Sequence, residues 1–234
     1  MTDYPSANRK TASSSIVSAI LVSIMFCAAL VAIFGICQVL HISMPELGIY
    51  PRETDSLLGI LLAPLLHGSW SHVINNISAL LILIAGLYLG YPRSRYYALI
   101  VIWLGSGILT WFFARDSFHF GASGLSHGLF FYLLVIGLLR RDKRSTALLM
   151  IAFFLYGGML MSIFPGEPGI SYELHLFGAM MGVLMAFLMR HRDPLPERKI
   201  YSWEEEDDSQ LDENPYWLED SVDNQTVERQ SDKH

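Results

Sequence analysis

The sequence is poor in cysteine, and its only two cysteines, Cys27 and Cys37, fall within one long apolar run. We interpret them as small core-facing or lipid-facing residues, not as a disulfide or a metal-binding pair. The sequence also has no H-E-x-x-H pattern and no aligned set of carboxylates, so its histidines do not indicate metal transport or a metalloprotease. We expect neither a metal nor a cofactor.

Charge is also scarce over most of the chain. Charged residues make up 16% of the sequence and hydrophobic residues 52%, with a mean hydropathy of +0.37. The apolar residues are concentrated in long runs, as in membrane proteins. Residues 15–40 contain no charge, are too long for the apolar part of a signal peptide and lack a convincing cleavage site. They predict a first transmembrane helix.

Five further apolar runs approach the roughly 20 residues that a membrane-spanning helix needs. They cover residues 72–90, 96–114, 123–139, 146–163 and 172–189. Residues 41–71 contain three prolines and an apolar stretch that is too short to span, so we expect an interfacial loop with a short helix. The sequence therefore predicts an all-α membrane protein with a bundle of six transmembrane helices.

Lysine and arginine between the runs predict the orientation, because cytoplasmic loops are enriched in these residues. Four basic clusters fall on one side of a six-span chain: Arg9 and Lys10; Arg93 and Arg95; Arg140, Arg141, Lys143 and Arg144; Arg190 and Arg192. The loops 41–71, 114–122 and 164–171 are then outside, and both termini are cytoplasmic. We expect a short N-terminal segment, 1–14, and a membrane domain, 15–192.

The final segment, 193–234, differs from the rest of the chain in charge. It holds 14 of the 22 acidic residues and only 4 of the 16 lysines and arginines. This composition, without apolar periodicity, predicts a disordered acidic cytoplasmic tail. Tyr216 and Trp217 could form a docking motif for an unknown partner, or they could be incidental aromatic residues of a solvated tail.

Polar side chains within the predicted spans are functional candidates, because they are costly in a membrane. They are His72, Asn75, Asn76, Ser123, Ser126, His127 and His175. Asn76, Ser123 and His175 each lie 15 to 17 residues before a cytoplasmic arginine, which places all three about 22–25 Å from that boundary. His72 lies four residues before Asn76, on the same helix face. The sequence thus predicts a polar layer toward the outer side of the membrane.

Two G-x-x-x-G patterns could bring this layer together. Gly124 and Gly128 follow Ser123, and Gly178 and Gly182 follow His175. Small residues at this spacing allow close contact between membrane helices, so we interpret these four as helix-packing glycines.

A serine beside a neutral histidine indicates nucleophilic acyl transfer, with His175 as the base for Ser123. The side chains of His72 and Asn76 and the Ser123 N–H could bind an oxyanion. We find no carboxylate at this depth to orient His175, because the nearby Glu173 points elsewhere on the helix. The sequence therefore predicts a dyad.

Three other polar residues have competing interpretations. His119 precedes the fourth span, and we favour loop packing over catalysis for it. Ser126 and His127 are adjacent, so their side chains diverge on a helix, and we assign both to packing around the site.

These motifs resemble those of the rhomboid family of intramembrane serine proteases. The resemblance covers residues 55–190 and rests on H-x-x-x-N at His72 and Asn76, G-x-S-G at 121–124, and H-x-x-G-x-x-x-G beginning at His175. His67 also fits the family pattern. The resemblance implies that Ser123 is the nucleophile and His175 the general base, with His72, Asn76 and the Ser123 N–H as the oxyanion site. It also implies a water-filled cavity that opens outward beneath the loop 164–171.

The sequence departs from the family pattern in two places. These departures bear on the loops and the substrate gate that the resemblance implies more than on the Ser–His dyad. Many members have an aromatic residue where this chain has His127, and a Trp-Arg pair in the first outer loop that 41–71 lacks. We expect an intramembrane serine endopeptidase of a bacterial inner membrane. Its partners would be the lipid bilayer and single-span membrane proteins, cut in or near their transmembrane segment, and not nucleic acid. The alternatives are a non-proteolytic pseudoprotease that binds client helices and, third, a transporter.

Overall fold

A computed structural model of the chain describes residues 7–166 and 169–196, with side chains from residue 16 onward. Seven α-helices form the described part: α1, Ala7–Val39; α2, Gly59–Leu62; α3, Trp70–Gly90; α4, Arg95–Phe113; α5, Ser123–Arg140; α6, Lys143–Tyr156; and α7, Tyr172–Met189. The predicted acidic tail beyond residue 196, with Tyr216 and Trp217, lies outside the described residues, as does the beginning of the N-terminal segment.

Five of these helices, α1, α3, α4, α5 and α7, are long and apolar enough to cross a membrane. The four after α1 begin and end within a few residues of the predicted runs. Segment 41–71 contains the short helix α2 and three 3-10 turns and no spanning helix, as predicted. The all-α membrane bundle is therefore confirmed.

The predicted span 146–163 differs from the others. Its helix, α6, has 14 residues, and a four-residue 3-10 turn, Gly157–Leu160, continues it. Two adjacent glycines explain why the regular helix stops there, since glycine is a poor helix former. At 1.5 Å per helical residue and 2.0 Å per 3-10 residue, the element is about 29 Å long. That length matches a hydrocarbon core of about 30 Å.

Helix α5 lies at the centre of the bundle. It packs against α3, α4, α6 and α7, and its contact with α7 is the most extensive between any two described elements. Most of its side chains are buried, among them Phe130 and Tyr132, whereas α1 packs mainly on α3. Because Ser123 is the first residue of α5, the predicted nucleophile sits on the most enclosed helix.

The end of the bundle opposite Ser123 is held together by a buried carboxylate. Asp193 is 4% exposed, and it accepts hydrogen bonds from the Arg93 N–H and the Ser94 hydroxyl between α3 and α4. Its backbone carbonyl accepts from Arg140 at the end of α5. The first residue of the segment predicted as a tail is thus anchored to the α3–α4 connection and to the end of α5.

Candidate active site

The four glycines of the two G-x-x-x-G patterns form a seam in which the backbones of α5 and α7 touch. A Cβ atom on Gly178 would lie 2.0 Å from the Gly124 carbonyl oxygen, and one on Gly182 would lie 2.0 Å from the Gly128 carbonyl oxygen. No side chain fits at such distances, so only glycine allows this approach. The seam starts beside Ser123 on α5 and beside His175 on α7.

His175 lies in the first turn of α7 and is 8% exposed. The Ser171 hydroxyl caps this helix by accepting a hydrogen bond from the Leu174 N–H. The ring Nδ1 of His175 lies 2.9 Å from the Ser162 carbonyl oxygen. Because a carbonyl only accepts, Nδ1 carries the hydrogen in the neutral ring, which leaves the Nε2 lone pair free. The ring therefore has the tautomer that a general base needs.

Ser123 is half-buried at the start of α5. Within the described part of the chain its hydroxyl has no hydrogen-bond partner, so the Ser123–His175 dyad stays a prediction. Free enzymes often have long or absent catalytic hydrogen bonds that form only with substrate. The nearby Ser126 hydroxyl bonds the carbonyl oxygens of Ala122 and Ser123 in its own helix turn, which is the packing role predicted for it.

The predicted oxyanion residues meet at Gly121, two residues before Ser123. Gly121 has φ +116°, and a Cβ there would lie 2.6 Å from the His72 ring and 3.8 Å from Asn76 Nδ2. Asn76 is 5% exposed, and its Nδ2 donor has no hydrogen-bond partner among the described residues. The glycine seam places the α7 motif, which begins at His175, against the same end of α5. These contacts bring the three predicted motifs to one place.

His67 lies behind His72 and is fully buried. The two rings meet edge to face with centroids 5.0 Å apart, and the Ala122 N–H donates to His67 Nε2 over 3.5 Å. Burial, and after it the proximity of His72, lower the pKa of His67 to about 4. His67 is therefore a neutral ring that supports the turn before Ser123.

His127 and Ser162 complete the surroundings of His175. The His127 ring stacks on the His175 ring with centroids 3.9 Å apart and an angle of 8° between the planes. Its Nε2 lies 2.7 Å from the Ser162 hydroxyl. Sequence reasoning assigned His127 to packing and overlooked Ser162, which lies near the end of an apolar run and in none of the three motifs.

His119 connects loops on the side of the bundle where Ser123 lies, as the loop-packing interpretation predicted. Its backbone forms an antiparallel bridge with Ile49. Its ring contacts the Ser171 hydroxyl through Nδ1 at 2.6 Å and the Arg115 carbonyl through Nε2 at 3.0 Å. His119 thereby joins two loops to the residue that caps α7.

The predicted outward-opening polar cavity stays a prediction. Two apolar clefts lie elsewhere, one between α1, α3, α5 and α6 and one between α1, α3 and α4. Neither is lined by the residues predicted for the site. Within the described ranges, no three histidine, cysteine or acidic side chains are grouped as metal ligands would be.

Comparison with known proteins identifies the family. Residues 54–192 match the family described as "Rhomboid domain". The chain is 38% identical over 167 residues to the uncharacterized proteins Rv1337 of Mycobacterium tuberculosis and Mb1372 of Mycobacterium bovis, a match that covers 65% of this chain and 65% of each relative. It is 35% identical over 195 residues to the uncharacterized protein ML1171 of Mycobacterium leprae, covering 77% of this chain and 73% of that protein.

The family match covers more than half of the chain and includes all three motifs. It spans α3 to α7, the helices that carry every predicted site residue. The apolar helices add that the protein is integral to a membrane and crosses it several times. The chain belongs to the rhomboid family.

Proposed function

We propose that the protein is an intramembrane serine endopeptidase that cleaves single-span membrane proteins in or near their transmembrane segment. The observation that carries this proposal is the position of His175. Its Nδ1–H donates to the Ser162 carbonyl, and its Nε2 has no hydrogen-bond partner among the described residues. The ring lies at the same end of the glycine seam as Ser123. A neutral histidine beside a serine hydroxyl is the arrangement for nucleophilic acyl transfer.

The reaction uses these groups in two steps. The Ser123 Oγ attacks the carbonyl carbon of the scissile peptide, and His175 Nε2 takes the hydroxyl proton. His175 then donates that proton to the leaving amine, which yields an acyl-enzyme. A water molecule, deprotonated by His175, hydrolyses the ester and restores Ser123.

The negative charge that develops on the carbonyl oxygen needs donors. The Asn76 Nδ2 is buried without a hydrogen-bond partner in the described part of the chain, and His72 lies beside it against Gly121. Together with the Ser123 N–H, these groups would bind the oxyanion. A donor of this kind is worth about 10²- to 10³-fold in kcat in other serine hydrolases.

The decisive experiment is cleavage of a reporter protein with one membrane span, by purified enzyme in liposomes. We expect Ser123→Ala to lower the rate by at least about 10³-fold. Ser126→Ala is the matched control, since it removes a hydroxyl that bonds only its own helix, and it should retain activity. Equal cleavage by wild type and Ser123→Ala would contradict the proposal.

A fluorophosphonate probe separates the protease from a pseudoprotease that only binds client helices. In the protease, labelling of Ser123 requires His175 as base, so His175→Ala should abolish it. If client membrane proteins co-purify with the protein but the probe does not label it in a way that depends on His175, the pseudoprotease is favoured.

We also propose that the protein resides in a bacterial inner membrane with both termini in the cytoplasm. Basic residues in the connections α3–α4 and α5–α6 support this orientation, and the mycobacterial relatives support a bacterial location. We expect a fluorescent-protein fusion after residue 234 to fluoresce, and a phosphatase fusion after residue 116 to be active outside. The reverse pattern would place the site on the cytoplasmic side.

A further inference from the structure

One residue contacts both histidines at the end of the glycine seam. Ser162 follows the 3-10 turn that ends the α6 element. Its backbone carbonyl accepts a hydrogen bond from His175 Nδ1 at 2.9 Å, and its hydroxyl lies 2.7 Å from His127 Nε2. The orientation of the predicted base therefore depends on where Ser162 is held.

His127 connects Ser162 to the backbone of the predicted nucleophile, Ser123. Its Nδ1 lies 2.7 Å from the carbonyl oxygen of Ser123, so Nδ1 is the protonated nitrogen of the neutral ring. Its Nε2 then accepts a hydrogen bond from the Ser162 hydroxyl. His127 is 5% exposed, so both bonds form in an interior where a hydrogen bond is electrostatically stronger than in water.

These contacts form a continuous link from the nucleophile to the base. It runs from the Ser123 carbonyl through the His127 ring to the Ser162 hydroxyl, and from the Ser162 carbonyl to His175. Simple packing does not need this link, because an aromatic hydrocarbon ring at position 127 would stack on His175 equally well. Without His127 the Ser162 hydroxyl could turn to the Met159 carbonyl, 3.2 Å away.

We propose that His127 is a positioning residue that acts through Ser162: its ring nitrogens fix Ser162 relative to Ser123, and Ser162 in turn orients His175 for proton transfer. This inference rests on the proposed protease function. It assigns to the polar atoms of His127 a role distinct from that of its ring face.

Two substitutions of His127 separate these roles. His127→Phe keeps a ring to stack on His175 but removes both hydrogen bonds. His127→Gln removes the ring but keeps a terminal amide that can accept from Ser162. We expect the Phe variant to lose on the order of 10- to 100-fold in kcat with KM changed little, because a displacement of about 1 Å in a catalytic group costs rate and not substrate binding. The Gln variant should recover part of that loss.

Ser162→Ala tests the other end of the link. It removes the hydroxyl and keeps the backbone carbonyl that accepts the hydrogen bond from His175 Nδ1. We expect a kcat loss similar to that of His127→Phe, and the double variant should be no worse than either single one, since both break one link. Ser106→Ala is the matched control. The buried Ser106 hydroxyl donates to the Trp103 carbonyl within the same helix, α4, and forms a hydrogen bond with neither His127 nor Ser162.

The outcomes distinguish the two proposals. If Ser123-dependent cleavage occurs but His127→Phe or Ser162→Ala keeps the wild-type kcat, the link has no catalytic role and only the protease assignment stands. Greater activity in the Phe than in the Gln variant would show that stacking alone matters, and would also overturn the inference. If wild type shows no Ser123-dependent cleavage, both proposals fall. Thermal midpoints in detergent verify that each variant is folded.

Discussion

At the scale of single residues, Asn76 is a buried amide whose donor nitrogen has no partner among the described residues. Leaving a buried donor unpaired costs about 1–3 kcal/mol of stability, so an unpaired buried donor suggests a functional role. Its neighbours supply one, because Nδ2 faces Gly121 beside His72. An unpaired donor held in place suits the proposed oxyanion role, because the charge that it would bind develops only during acyl transfer.

Position 121 should be essential for activity, because glycine is the only residue type that fits there against the His72 ring. A Cβ there would lie 2.6 Å from two atoms of the His72 ring. We expect Gly121→Ala to push this ring aside and to lower kcat by about 10²- to 10³-fold, the effect of losing an oxyanion donor. The measurement is the steady-state cleavage rate in liposomes.

Gly169 provides the control for backbone strain. It also has a positive φ, +87°, but a Cβ there would meet nothing within 4 Å. Both alanine variants should lose about 1–3 kcal/mol of stability from the strained backbone, while Gly169→Ala keeps most of its activity. Equal losses of activity in the two variants would show that strain, and not the position of His72, is responsible.

The sequence predicts the site residues that belong to motifs and misses those that act through the backbone. His175, His72 and Asn76 could be proposed because their side chains are costly in a membrane, and Ser123 because it lies at their depth within a G-x-S-G pattern. Ser162 could not, since its contribution to His175 is a carbonyl oxygen, which every residue has. His127 was visible as a departure from the family pattern, but its contact with Ser162 depends on the path of the chain after α6.

At the scale of the elements, the contact between α5 and α7 is set by four glycines. We expect Gly178→Ala to destabilise the protein, because its Cβ would lie 2.0 Å from a backbone oxygen that cannot move without separating the helices. Overpacking of this kind typically costs about 1–3 kcal/mol. The thermal midpoint in detergent should fall, and cleavage should fall with it because Ser123 and His175 move apart.

Gly35 in α1 is the matched control for this prediction. A Cβ there would meet nothing within 4 Å, and alanine is the better helix former by up to about 1 kcal/mol. Gly35→Ala should therefore leave the midpoint unchanged or raise it. If Gly178→Ala were as stable as Gly35→Ala, the close seam would not exist.

The helices themselves were largely predictable from the sequence, because apolar length is a strong signal in a membrane protein. The exception is α6, where hydropathy continues to residue 163 but the helix ends at Tyr156. Hydropathy does not register that Gly157 and Gly158 favour a change of backbone conformation. That change matters for the site, because it precedes the turn that carries Ser162.

At the scale of the whole molecule, the loops on the side of Ser123 are joined to one another. The Arg52 N–H donates to the Trp111 carbonyl, and the Arg52 side chain pairs with Asp116. Arg115 lies 3.4 Å from the buried carboxylate of Glu173 in α7. The loops that precede α3 and α5 are therefore connected to each other and to the start of α7, so their stability contributes to that of the whole protein.

A buried histidine makes this stability depend on pH. Burial, followed by the proximity of His72, lowers the pKa of His67 from 6.5 to about 4. Above about pH 6.5 the residue is neutral in both the folded and the unfolded chain and contributes no pH dependence. Between about pH 6.5 and 4, His67 binds a proton in the unfolded chain but stays neutral in the folded chain. Stability therefore falls as the pH falls through this window.

The size of the effect follows from the difference between the two pKa values. At about 1.4 kcal/mol per pKa unit, His67 contributes a loss of about 3 kcal/mol by pH 4. His67→Gln removes this group, so its unfolding free energy in detergent should depend less steeply on pH between 6.5 and 4 than that of wild type. Burial also lowers the pKa of His119, so part of the dependence should persist in the variant. Parallel curves for the two proteins would mean that His67 takes up a proton in the folded state, and therefore that the turn before Ser123 is open to water.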